Sequence, residues 1–118
     1  MKKIEAIIRR TRFDDVKEAL LAADIEWFSF YDVRGMGKAQ QSRIYRGVMY
    51  DTSIIERVLI SIVVRDVNVE KTIQAVIKAA RTGEVGDGRI FVIPVDDSVR
   101  IRTGDRGDIS LYDAEKAK

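Results

Sequence analysis

The apolar residues of this chain keep changing period, and that succession restricts the fold more than any other feature. From Lys3 to Arg9 they alternate, with Ile4, Ala6 and Ile8 on one side and Glu5, Ile7 and Arg9 on the other, which predicts a strand. Phe13, Val16, Leu20 and Ala23 then share one helical face. The spacing predicts a helix over Asp15 to Ala23, with Asp14 placed to cap its first free amides. From Ile25 to Val33 the aromatics Trp27, Phe28, Phe30 and Tyr31 predict a second strand whose bulky side chains join the core. Arg57 to Val64 is apolar inside apart from Ser61, the pattern of a third strand covered on both faces. Asp66 and Asn68 mark a turn and cap, Val69, Ile73, Val76, Ile77 and Ala80 recur at helical spacing, and Gly83 ends that helix just past Arg81. The fourth strand spans Arg89 to Val95, and Pro94, which has no amide donor, belongs at a sheet edge or past the ladder. The order β-α-β-β-α-β makes an α+β domain of the ferredoxin-like split arrangement, two crossover units joined between strands two and three.

Composition narrows the chemistry. The 118 residues, 46% hydrophobic and 34% charged, suffice for one core and one domain. The absence of Cys and His removes disulfides, thiolate nucleophiles, the commonest general base and the commonest soft-metal ligands. Lys and Arg total 21 against 19 Asp and Glu, a net charge of +2, which argues against a generic nucleic-acid binder. The longest apolar runs, such as Ile90 to Val95, fall far short of the ~20 residues a membrane helix needs. No signal-peptide pattern opens the chain, so the expectation is a cytoplasmic protein without membrane insertion.

Three segments exceed what the fold requires. Gly35 to Ile54 separates strands two and three, where a hairpin takes two to five residues. With Arg34 just before it, it carries Lys38, Arg43 and Arg46 with no acid before Asp51, together with Tyr45 and Tyr50. Such a segment is either a solvated surface loop or a limb for a phosphate ligand or a partner. Thr82 to Arg89 holds Gly83, Gly86 and Gly88 beside a cation, as in a phosphate-binding nest and equally as in a tight turn. Arg100-Ile101-Arg102 predicts two guanidinia on the same side of an extended segment, suited to phosphate oxygens or to a surface ladder with Asp96, Asp97 or Asp105.

Together these segments resemble a family. Lys2-Lys3-Ile4-Glu5-Ala6-Ile7-Ile8, Arg34-Gly35-Met36-Gly37, Tyr45-Arg46-Gly47 with Tyr50, Thr82-Gly83-Glu84-Val85-Gly86-Asp87-Gly88-Arg89-Ile90-Phe91-Val92 and Arg100-Ile101-Arg102-Thr103-Gly104 look like a PII nitrogen-regulatory signalling protein. The resemblance covers residues 1–104, leaving a tail at 105–118 whose Leu111 and Tyr112 are placed to dock. It implies a ferredoxin-like homotrimer that is a sensor and not an enzyme, with an ATP or ADP site in each cleft between subunits. The family's nucleotide contacts then fall on Ile7, Ser29, Gly35, Gly37, Lys38, Val63, Thr82, Gly86, Asp87, Gly88 and Arg89, with Arg100 and Arg102 supplied by the neighbouring subunit. The resemblance also implies a target, foremost an ammonium transporter, reached by the long loop through Arg46 near its tip. Tyr50 matches the tyrosine that enteric relatives uridylylate.

Some positions depart from the family pattern. Val48 and Met49 stand where the modification motif has small or acidic residues, and the loop is one residue shorter before Tyr45. Ala39 follows Lys38 where the family has the Gln that holds Mg²⁺ beside ATP and 2-oxoglutarate, with Gln40 the nearest replacement. Arg57 matches the family lysine that meets the 2-oxoglutarate carboxylate, while Ser61 replaces an acid on the same strand. These departures keep open a sensor retuned to AMP, cyclic AMP or a cyclic dinucleotide, including one fused to a transporter. A metal-tolerance-type trimer shares the architecture, but would need a cluster of Asp or Glu ligands.

Overall fold

A computed structural model of the chain describes residues 1–37, 43–45, 48–50 and 54–112, with 43–45 and 48–50 described by backbone alone. The elements are β1 (Lys2–Ile8), α1 (Phe13–Ala22), β2 (Ser29–Met36), β3 (Arg43–Tyr45), β4 (Val48–Tyr50), β5 (Ile54–Val64), α2 (Val69–Ala80) and β6 (Arg89–Pro94). Four strands form one sheet in the order β2-β5-β1-β6, every neighbouring pair antiparallel. This is the expected α+β, ferredoxin-like arrangement. Within the long connection, β3 and β4 pair separately, Arg43 opposite Tyr50 and Tyr45 opposite Val48, a hairpin the sequence pattern does not predict.

The two helices cover one face of the sheet. Ile4, Ala6 and Ile8 of β1 and Val58, Ile60, Ile62 and Val64 of β5 point into that layer. There they form a single core with Val16 and Leu20 of α1 and Val76 and Ala80 of α2. The period of two along the strands and of 3.6 along the helices brings these side chains together, which is why the alternation of β1 is readable. Thr72 is the one buried polar side chain among the described residues, and its hydroxyl donates to the Asn68 carbonyl at 2.7 Å. Replacing Thr72 by Val keeps the volume and removes that bond. The expected loss is about 1 kcal/mol in chemical unfolding, and no loss would mean the bond contributes nothing net.

Several boundaries move, each for a local reason. Helix α1 begins at Phe13, not Asp15, because a 3₁₀ turn at Arg10–Arg12 leads directly into it. No side chain caps it, so Asp14 lies in the first turn with Asp15, where both carboxylates favour the positive end of the helix dipole. Strand β2 starts at Ser29 and not at Ile25, because the Ile25 amide closes α1 by donating to the Leu20 carbonyl at 2.9 Å. Trp27 precedes β2, Tyr31 opposite Leu59 lies on the uncovered face, and Phe30 opposite Ile60 flanks the core on an edge strand, so all three stay exposed in the single chain, Trp27 by 87%, instead of joining the core. Phe30 still packs on Phe13, their ring centroids 4.6 Å apart.

Strand β5 reaches back to Ile54 and is covered on one face only; Arg57, Leu59, Ser61 and Val63 look away from the helices and are half-buried. Asn68 precedes α2 without a side-chain cap, and Arg81 leaves the helix in an extended conformation before Gly83 is reached. Strand β6 is an edge, as Pro94 requires, and Val95 adds only a bond from its amide to the Met1 carbonyl at 3.3 Å. Among the described residues no helix is long and apolar enough to cross a membrane, and no group of acids is arranged to hold a metal ion.

Candidate functional site

Antiparallel register decides which of the singled-out residues meet. Ile8 faces Val58, Ile7 lies between Leu59 and Arg89, and Gly35 pairs with Ile55, so all sit at the end of the sheet where β1 finishes. The glycine segment 82–88 crosses that end between α2 and β6. Gly88 has φ +106°, and a Cβ built on it would lie 1.7 Å from the Ile7 carbonyl oxygen, so backbone rests on backbone and only glycine fits. Gly86 has φ +102°, and its Cβ would crowd Arg9 Nη2 at 3.2 Å and Arg57 Nη2 at 3.3 Å.

Asp87 is the hub of this loop. Its carboxylate accepts from the Thr82 hydroxyl, the Thr82 amide at 2.8 Å, the Gly83 amide at 2.9 Å and Arg9 Nε at 3.2 Å. The Thr82 hydroxyl and amide, then the Gly83 amide and Arg9, hold Asp87 well below the usual carboxylate range against the opposing effect of desolvation. Arg9 also donates through Nη2 to the Val85 carbonyl at 3.0 Å. Arg57 donates to the Gly86 carbonyl at 3.2 Å and to the Glu56 carbonyl at 3.0 Å. Desolvation, and after it the like charge of Arg9, pushes the Arg57 guanidinium down from its ordinary value.

The loop is thus fixed by two arginines, Arg9 just past β1 and Arg57 on β5, and Arg9 is a residue that sequence reasoning missed. The alternation places it only beside Glu5 and Ile7 on one side of the first strand, and its partner Asp87 lies 78 positions away. Arg57, expected from the resemblance to meet an effector carboxylate, is spent here on carbonyls of the loop and its own strand. Arg89 stands exposed at the start of β6, with no ion-pair partner among the described residues. A cavity of about 360 Å³ opens beside it under α2. Its walls are apolar, including Ile73, Val76, Ile77 and Ile90, and its charged lining is Arg81, Asp87 and Arg89.

Two other expected site residues, Ser29 and Val63, lie along the open face away from this end. Ser29 shares a row across the open sheet face with Ser61, Glu5 and Phe91. Val63 faces Lys3, four positions along β5 from the Leu59 that faces Ile7, or roughly 13 Å at strand rise. Gly37 follows the end of β2 at the base of the long loop. Lys38, Gln40 and Arg46 lie outside the described residues, and of Tyr50 only the backbone, in β4, is described.

Arg100 and Arg102 sit at the opposite end of the sheet. Strand β6 runs from Arg89, beside Ile7, to Pro94, beside Lys2, and the arginines follow after Pro94. The segment is not extended as expected. The Gly104 amide donates to the Arg100 carbonyl at 2.7 Å, the Arg100 amide to the Asp105 carbonyl at 2.9 Å, and Val99 bridges Arg106, which bends 100–105 into a turn. Gly104, with φ +75°, permits that bend. Arg100 Nη1 pairs with Asp105 at 3.6 Å, one of the acids anticipated for it, whereas Asp97 takes Arg106 at 3.1 Å. Arg102 is exposed, with no ion-pair partner among the described residues.

Comparison with known proteins bears on what this arrangement serves. The family described as "Nitrogen regulatory protein P-II" matches residues 1–105. A nitrogen regulatory protein P-II of Cereibacter sphaeroides is 43% identical over 109 residues, 92% of this chain and 97% of that protein. One from Synechocystis is 46% identical over 107 residues, 90% of this chain and 96% of the relative. Nitrogen regulatory protein P-II 1 of Methanothermobacter thermautotrophicus is 46% identical over 108 residues, covering 91% and 94% of the two chains. The match runs through both helices, every strand of the sheet, the glycine loop and the Arg100 turn. The chain therefore belongs to the P-II nitrogen regulatory protein family, signalling regulators and not enzymes.

Proposed function

We propose that this protein is a cytoplasmic homotrimeric sensor that binds ATP or ADP in clefts between subunits and passes the signal to a target through the loop at 35–54. The carrying observation is the glycine loop, pinned by Arg9 and Arg57 and seated on the Ile7 carbonyl, with the exposed guanidinium of Arg89, which has no ion-pair partner among the described residues, beside it. Fixed backbone around glycines with an adjacent exposed cation suits a polyphosphate, because the loop and the Arg89 beside it are held in place before binding. Arg89 and the pair Arg100 and Arg102 lie at opposite ends of one sheet, so a second copy is the natural way to bring them onto one ligand. The half-buried Ile7, Leu59 and Val63 and the exposed Tyr31 and Phe91 of the open sheet face support assembly, since apolar area uncovered in one chain is what association buries.

In this reading residues 1–104 form the sensing domain and 105–118 the tail. The remaining nucleotide contacts are Ser29, Gly35, Gly37, Lys38, Val63, Thr82, Gly86, Asp87 and Gly88. A nucleotide that favours one arrangement of the loop shifts its population, and Arg46 engages or releases an ammonium transporter accordingly. Tyr50 is the site available for modification. Mg²⁺ and 2-oxoglutarate would rely on Gln40 and Arg57. The bonds of Arg57 to carbonyls, together with Ala39, favour as a second reading a sensor retuned to AMP, cyclic AMP or a cyclic dinucleotide.

Calorimetric titration with ATP, ADP, AMP and cyclic dinucleotides, with Mg-ATP repeated in 2-oxoglutarate, separates these readings. The expected result is binding of ATP and ADP. Tightening by 2-oxoglutarate would restore the effector role of Arg57, and binding of another nucleotide alone would select the retuned sensor. Absence of any heat with all of them would reject the nucleotide site.

A further inference from the structure

The Arg100 guanidinium already has a ligand, and that ligand is the chain itself. Nη2 donates to the Ile109 carbonyl at 3.0 Å and to the Tyr112 carbonyl at 2.6 Å, while Nη1 lies 3.6 Å from the Asp105 carboxylate. A guanidinium grips a phosphate bidentately along one of two edges, Nε with Nη2 or Nη1 with Nη2. Both edges need Nη2, and both of its protons are committed. Arg102, two positions on, is exposed and holds no ion pair among the described residues.

The segment that occupies Arg100 is itself anchored. Residues Gly107–Leu111 form a 3₁₀ turn, closed by the Ser110 hydroxyl donating to the Gly107 carbonyl at 2.6 Å. Arg65, just past β5, approaches Asp108 at 3.7 Å and lays its guanidinium 4.8 Å from the centre of the Tyr112 ring. Asp97 ties the start of the turn by accepting from the Gly107 amide at 3.1 Å. No side chain of the turn is fully buried, and Leu111 and Tyr112 are only half-buried, so the docking rests largely on polar contacts that water can replace.

We propose that residues 107–112 are a built-in competitor for nucleotide phosphate at Arg100. Docked, they withhold the guanidinium from the site; undocked, they surrender it. The idea rests on the nucleotide reading above, in which Arg100 serves the cleft of a neighbouring subunit, so the tail of one copy governs the affinity of the next. Coupling is reciprocal: ATP bound through Arg100 must loosen the tail to the same degree that the tail weakens ATP.

The test uses the full-length protein and two variants outside the nucleotide site, Arg65→Ala and Tyr112→Ala. ATP affinity is measured by calorimetry, and amide exchange at 107–112 is followed with and without ATP. If the segment is docked nine-tenths of the time, releasing it should tighten ATP by about tenfold. In the unmodified protein ATP should speed exchange at those amides, and the variants should exchange fast without it. Tyr112→Ala leaves β5 untouched and carries the test if Arg65→Ala does not fold. ATP bound equally well by wild type and variants, or exchange at 107–112 unchanged by saturating ATP, would overturn the competition and leave the nucleotide site standing. No ATP binding in any of the proteins would overturn both.

Discussion

Gly88→Ala is expected to cost about 3 kcal/mol or more in chemical unfolding, combining a clash with a left-handed backbone. The added Cβ would lie 1.7 Å from the Ile7 carbonyl oxygen and 2.9 Å from its carbon, both backbone atoms of a central strand that cannot step aside. Its φ of +106° adds a conformation that an L side chain rarely adopts. Gly83→Ala is the matched control, because Gly83 has φ +89° but nothing within 4 Å of its Cβ. Only the backbone cost, about 1 kcal/mol, should appear there. Equal losses in the two variants would mean that the seat on Ile7 does not set the loop. Whatever Gly88→Ala retains of its fold should have lost nucleotide binding, since the loop can no longer rest on β1.

Asp87→Asn is expected to weaken nucleotide binding by about tenfold, since the loop loses a charge-assisted hub and keeps a neutral acceptor. An amide also turns its own donors toward Arg9, which the carboxylate now attracts at 3.2 Å. The same substitution has a signature in acid. Hydrogen bonds from Thr82 first, with Gly83 and Arg9, depress the Asp87 pKa in the folded chain below the ordinary 3.8. Its contribution to stability is therefore complete above the unfolded value and fades as pH falls below about 4 toward the folded one. Asp66, held down by the amino terminus and Lys2, and Asp97, held down by the Ser98 and Gly107 amides and Arg106, fade in the same window. Wild type should lose more stability than Asp87→Asn between neutral pH and pH 3, measured by urea unfolding. Parallel pH profiles would show that the Asp87 bonds do not persist in solution.

The element order was legible because β1 and both helices bury one face each and advertise it by period, while β5 showed only as an apolar run, a pattern that does not tell one covered face from two. Strand β2 was less legible, since Ile25 is apolar and looks like strand but serves to close α1 through its amide. The hairpin of β3 and β4 escaped for a related reason: Ile44 and Met49 face each other across it, yet three residues on each side make too short a run to announce a period. At the site, glycine spacing pointed to a nest and Arg89 to its charge. The groups that hold the nest were invisible, because Arg9 and Arg57 reach it only through the register of β1 with β5 and β6. Arg100 was misread as extended because Arg-Ile-Arg alternates like a strand, while bonds with Asp105 and Gly104 turn it.

By itself the sequence determined the architecture and the family, since a succession of periods admits one economical layering and the glycine motif is specific. Tertiary structure decided which arginines are free and which are spent. Arg89 and Arg102 stand unpaired among the described residues, whereas Arg9, Arg57 and Arg100 are committed to loop and tail. The reason is physical. A guanidinium carries the same charge wherever it stands, and its availability depends on whether carbonyls and carboxylates distant in sequence reach its donors.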